Sequence, residues 1–176
     1  MADRSAIRRE LGEAQEAFHA LLASASQEDL GRPSNGTRWT NRQLLFHMML
    51  GYLVVRVLLP LVRLFNRLPA PSGQVFAGLL NAATCPFDVI NYWGSVAGSR
   101  WYRDERMIPK LDAVIAGLQR RLDRESEANM GRSMAYPVRW DPFFRTTMTL
   151  EEVYHYPTQH FEFHRQQLTL QAAARA

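Results

Sequence analysis

The sequence predicts an all-α protein built as a four-helix bundle. Three observations carry that expectation. Apolar residues recur at spacings of three and four in four separate segments, two of those segments open with capping boxes, and no segment alternates like a half-buried strand. With 176 residues and 47% apolar content the chain can bury one core, so a single domain over 1–176 is expected, fraying at the Ala-Arg tail 172–176.

In the first segment Ile7, Leu11, Ala14, Phe18 and Leu21 make one apolar stripe, ending before Ser24 to Ser26. The second begins at Thr40-Asn-Arg-Gln43, a capping box with Thr40 as N-cap, and Trp39 and Leu44 stand in the positions of a hydrophobic staple. Its apolar run continues to about Leu68, with Pro60 bending it and Pro69 and Pro71 stopping it. Between Val75 and Ser99 the pattern is weaker. Val75 to Leu80 and Phe87 to Trp93 give one or two short helices, and Gly94, Gly98 and Ser99 break the pattern. A third long helix carries Met107, Leu111, Val114, Leu118 and Leu122 on one face. Residues 129–148 read as a long connection containing Pro137 and Trp140-Asp-Pro-Phe-Phe144; unstructured connections of that length are uncommon and often functional. The last helix opens at the capping box Thr149-Leu-Glu-Glu152 and runs to about Ala172.

Composition excludes several classes of function. The formal charge of +4 rests on twenty arginines and one lysine, scattered among seventeen acidic residues, and no nucleic-acid-binding motif accompanies them. Nucleic acid is therefore not an expected partner. A lone cysteine, Cys85, cannot form an internal disulfide and is expected to be buried or inert in a reducing compartment. The polar, periodic N-terminus has no signal-peptide core. The most apolar run, Leu44 to Phe65, is interrupted by His47, Arg56 and Arg63, whereas a spanning helix wants about 20 mostly apolar residues free of such groups. A cytoplasmic protein without a membrane partner is expected.

Chemistry concentrates in the histidines. His160 and His164 stand four apart, so they project from one helical face on successive turns and can reach one metal ion. The bland alternative is a pair of polar residues on a solvated face. Val153, Tyr156 and Gln167 share that face and Phe161 and Phe163 flank it, which turns the pair toward the interior. His47 lies in a stripe with Leu44, Leu50, Gly51, Val54, Leu58, Leu61 and Phe65, and supplies the third ligand; alone, it would read equally as a core histidine bonded to a carbonyl. Gly51, one turn on, leaves room for a ligand or for close helix packing. Arg56, Arg63 and Arg67 line the opposite face as a solvated basic stripe. Tyr156, one turn before His160, is the candidate catalytic hydroxyl, with core packing as the alternative. His155 points away from the pair on an ideal helix; with Pro157 distorting that turn it stays a candidate for the pocket, not for the metal. His19 belongs to the surface or its boundary.

Trp39-Thr-Asn-Arg-Gln-Leu-Leu-Phe-His47 and His160-Phe-Glu-Phe-His164-Arg-Gln-Gln-Leu168 resemble the corresponding motifs of the DinB/YfiT-like superfamily of four-helix metal-binding proteins. The resemblance follows helix order over the whole chain. It implies a long crossover between the second and third bundle helices, matching 69–104, and a three-histidine site for zinc or alternatively nickel, iron or manganese. It also implies a homodimer and, from relatives that use bacillithiol, mycothiol or glutathione, a thiol cosubstrate. The mycothiol-dependent isomerase branch has a glutamate where this chain has His160. Pro157 and the 75–99 insertion with Asn91-Tyr-Trp93 are further departures, the latter read as a lid, a partner surface or a packing satellite.

The leading expectation is metal-assisted transfer of a low-molecular-weight thiol to an electrophilic small molecule. Tyr156 and, from the long loop, Arg139 or Trp140 would shape the pocket. Hydrolysis or isomerisation by metal-bound water, and a non-catalytic metal-stabilised binding protein, are the alternatives. Glu162 falls on the far side of the helix from His160 and His164, which argues against a protease of the HExxH kind.

Overall fold

Local sequence chemistry sets most of the element boundaries in the computed structural model, which describes residues 2–170. The tail expected to fray at 172–176 lies outside them. Helix α1 (Arg4–Ser24) starts where the Asp3 carboxylate accepts the Ala6 N–H, and it buries Ile7, Leu11, Ala14, Phe18 and Leu22. Leu22, rather than Leu21, completes the stripe. A five-residue helix absent from the sequence reading, α2 (Gln27–Gly31), is held by a Ser26–Asp29 capping box.

Helix α3 (Asn41–Phe65) opens on the expected box: Thr40 Oγ1 accepts the Gln43 N–H and Gln43 Oε1 accepts the Thr40 N–H. It continues through Pro60 and ends at Phe65, short of Leu68. Its length and composition would suffice to cross a membrane, but 56% of its most apolar window is buried inside the molecule, as in a core helix.

The segment between Val75 and Ser99 is more ordered than its sequence pattern. Helix α4 (Ala70–Ala82) is followed by α5 (Thr84–Trp101), which runs straight through Gly94, Gly98 and Ser99. Gly98 is a contact point instead of a breaker: a Cβ there would stand 2.1 Å from Cζ of Phe46 on α3, so only glycine lets the two helices approach this closely. Cys85, expected to be buried or inert, is exposed on α5.

Helix α6 (Asp104–Leu122) buries Met107, Leu111, Val114, Leu118 and Leu122 as its periodicity predicts. The 129–148 connection is not structureless. A short helix α7 (Glu127–Met130) leads into strand β1 (Ser133–Ala135), which pairs antiparallel with β2 (Thr147–Thr149) through Met134↔Met148. Three-residue strands are too short to show alternation. Helix α8 (Leu150–Arg165) starts on the Thr149–Glu152 box and carries Pro157 within it. It stops at Arg165, not near Ala172, because the next residues turn back: Asn41 Oδ1 accepts the Thr169 N–H and Gln167 O accepts the Asn35 N–H.

Helix α3 packs against α8 and α6, and α1 packs against the same two, so these four enclose one core; α5 lies along α3 and α4 against β1. The basic stripe of Arg56, Arg63 and Arg67, the last just past the end of α3, is only partly solvated. Arg56 and Arg67 are exposed, whereas Arg63 pairs with Glu125, whose carboxylate is fully buried and also accepts from Asn129.

Candidate metal centre

Two helices from opposite ends of the chain build the centre. His47 sits just inside the N-terminal half of α3, and His160 and His164 lie on successive turns of α8, the helix α3 packs against. One ligand nitrogen from each of the three lies within 4.8 Å of the others. The rings stand 4.5–4.9 Å apart between centroids. His160 and His47 are 3% and 7% exposed and His164 is half-buried, so the α8 pair does not lie on a solvated face.

The geometry fits a divalent ion. Two nitrogens bound to one ion at about 2.0–2.1 Å stand about 3.0–3.4 Å apart, depending on the bond angle. Nε2 of His47 and Nε2 of His160 are 3.1 Å apart. The opposite ring atoms are occupied elsewhere: His47 Nδ1 is 3.3 Å from Ser95 Oγ on α5, and His164 Nδ1 donates to Gln167 Oε1 at 2.6 Å. Each contact holds a ring so that Nε2 is the free ligand atom, the usual arrangement around metal-binding histidines. His160 Nδ1 is buried without a hydrogen-bond partner, against Gly51, where a Cβ would come within 2.9 Å.

Burial keeps all three rings neutral, the form that ligates. It lowers His47 to about 3, with repulsion from His164 adding to the effect, and it lowers His160 well below the usual histidine value, assisted by His47 and His164. For His164 burial again dominates, opposed by its bond to Gln167 and by Asp141.

The triad forms part of the wall of a cavity of about 730 Å³. Gly51, Tyr156 and Trp140 line it; Trp140 stacks on Phe87 and donates from Nε1 to Leu80 O. Trp39 also lines it, stacking on His47 at 4.4 Å between centroids instead of serving only as a staple at the helix start. Arg139 and His155 are not among the lining residues. Arg139 is exposed, with its backbone N–H bonded to Asn81, and His155 turns to Glu10 of α1 at 2.7 Å, since α8 brings that side of its turn against α1. His19 sits at the boundary, bonded to Asp112.

Asp141 escaped the sequence reading. Its Oδ2 accepts the Tyr156 hydroxyl at 2.9 Å and lies 3.8 Å from Nε2 of His160, while Oδ1 accepts the Phe143 N–H. Burial raises its pKa, partly offset by those bonds; burial and the neighbouring Asp141 push the Tyr156 hydroxyl well above its usual value, so it stays a proton donor. The only sequence signal was one acid inside the aromatic run Trp140-Asp-Pro-Phe-Phe144.

No curated protein and no solved structure matches the chain. The family model of the DinB superfamily matches residues 10–168, which takes in both histidine motifs, most of α1 and all of α3, α6 and α8. The chain belongs to the DinB superfamily.

Proposed function

We propose that the protein is a divalent-metal enzyme that transfers a low-molecular-weight thiol to an electrophilic small molecule. One observation carries this reading: three neutral histidine nitrogens converge in the wall of a cavity large enough for a small molecule. We take α1, α3, α6 and α8 as the four-helix bundle and α4–α5 as its crossover. Zinc suits an all-imidazole site best, with nickel, iron or manganese as alternatives.

His47, His160 and His164 would hold the ion. A divalent ion bound only by neutral ligands keeps its full charge, and would lower the pKa of a thiol entering an open coordination position. Ser95 and Gln167 fix two of the rings so that binding costs little rearrangement. Asp141 and Tyr156 form a bonded pair at the edge of the triad, with the Asp141 carboxylate that accepts from Tyr156 lying 3.8 Å from His160 Nε2. The apolar wall excludes water from the reacting atoms. Transfer forms a carbon–sulfur bond and expels the leaving group with its electron pair; that group departs carrying the thiol proton.

The test incubates zinc-loaded protein with a thiol and an electrophile such as monochlorobimane, and follows the conjugate. Thiol-dependent product that disappears in His47→Ala supports the reading. Turnover without thiol would replace it with hydrolysis or isomerisation, and absence of conjugate with every thiol tried would overturn it.

A further inference from the structure

The walls of the cavity differ from the rest of the molecule in charge. The chain carries twenty arginines and one lysine, yet among the described residues none of them lines this space. The ionisable groups facing it are the three histidines, Tyr136 and Tyr156, and one acid, Asp141. Apart from Asn91, the rest of the wall is largely aliphatic and aromatic, including Leu50, Val54, Leu58 and Leu61 from α3, and Phe76 and Phe144. A carboxylate or phosphate entering here would leave water without a cation to receive it and would face Asp141, an unfavourable exchange. A divalent ion held by His47, His160 and His164 would be the one cation at the cavity wall. Its volume of about 730 Å³ matches the sites that enclose drug-sized ligands.

We propose that the molecule bound in this cavity is uncharged and largely apolar, of drug-like size, and that charged groups of any thiol cosubstrate stay outside its mouth. This names the acceptor class for the thiol-transfer reading above and rests on it only for the reaction. Binding itself is testable without turnover.

A matched pair of probes separates charge from shape: 2-acetylnaphthalene, neutral, and 2-naphthoate, a carboxylate. Their binding to the full chain is followed by quenching of tryptophan fluorescence, since Trp39 and Trp140 line the space. Both the metal-free and the zinc-loaded protein are titrated. The metal-free protein should bind the neutral probe at least about ten-fold more tightly. Val54→Lys, which introduces a cation into the wall, should shrink or reverse that ratio; Leu58→Trp, which fills the space, should abolish neutral binding even where Val54→Lys fails to fold. Equal or stronger binding of the carboxylate by metal-free protein overturns the proposal, as does failure of the neutral probe to bind or a ratio unmoved by Val54→Lys. Stoichiometric zinc without probe binding defeats this proposal alone. Probe binding without zinc defeats the metal reading and leaves this one standing.

Discussion

His160 shows how much a single position can demand of its neighbours. Its Nε2 faces His47, while its Nδ1, with no bonding partner, occupies the space that a Cβ on Gly51 would need. Any side chain at 51 would push the ring off the triad, so Gly51→Ala should weaken metal affinity without unfolding α3, since alanine is a better helix former. Zinc titration with a competing chelator, alongside circular dichroism, measures both effects. Gln167 acts at one remove: its Oε1 fixes the His164 tautomer, and its own carbonyl is held by the Asn35 N–H. Gln167→Ala should cost about 10–100-fold in metal affinity, the usual penalty for removing such a partner; an unchanged affinity would assign that bond to packing alone.

At the level of elements, the caps of α3 and α8 were legible, the Ser26–Asp29 box of the short α2 was passed over, and the other exceptions have physical causes. Thr40 and Thr149 announce α3 and α8 because a hydroxyl followed by Gln or Glu three residues on satisfies two orphan N–H groups. Periodicity likewise revealed the buried faces of α1 and α6. The sequence could not reveal the β1–β2 hairpin, whose strands are three residues long, or the path of α5 through its glycines. A glycine that ends a helix and one that admits a neighbour look identical in one dimension. Gly98 is the second kind, set against Phe46, which in turn stacks on Tyr102. Gly98→Ala should therefore destabilise the fold by about 1–3 kcal/mol through overpacking, read as a lower denaturant midpoint. The site divides similarly: histidine spacing exposed the triad, whereas Asp141 comes from a loop and Ser95 from α5, where no clear period marks the inward side.

For the molecule as a whole, the centre trades stability against acidity. The folded chain without metal holds three neutral imidazoles, with His47 lowered to about 3. The unfolded chain protonates histidine near about 6.5. Below that value the unfolded state binds more protons than the folded one, so stability is present above about 6.5 and is lost as pH falls toward about 3. Urea midpoints of chelator-treated protein should fall steadily from pH 7 to pH 5. Saturating zinc at pH 7 should raise the midpoint, because the ion binds only the assembled triad; equal midpoints with and without zinc would mean that the three nitrogens do not bind it.

The separation of His47 from His160 by 113 residues also fixes when the centre can exist. Neither helix can offer a site until α8 has docked, so a ribosome must release the chain through α8 before any ion finds three ligands. Contacts spanning such a distance along the chain form late, after local helices have condensed. The ion should act on the clock of unfolding: zinc is expected to slow escape from the native state while leaving the refolding rate nearly unchanged, as a chevron measured with and without metal would record.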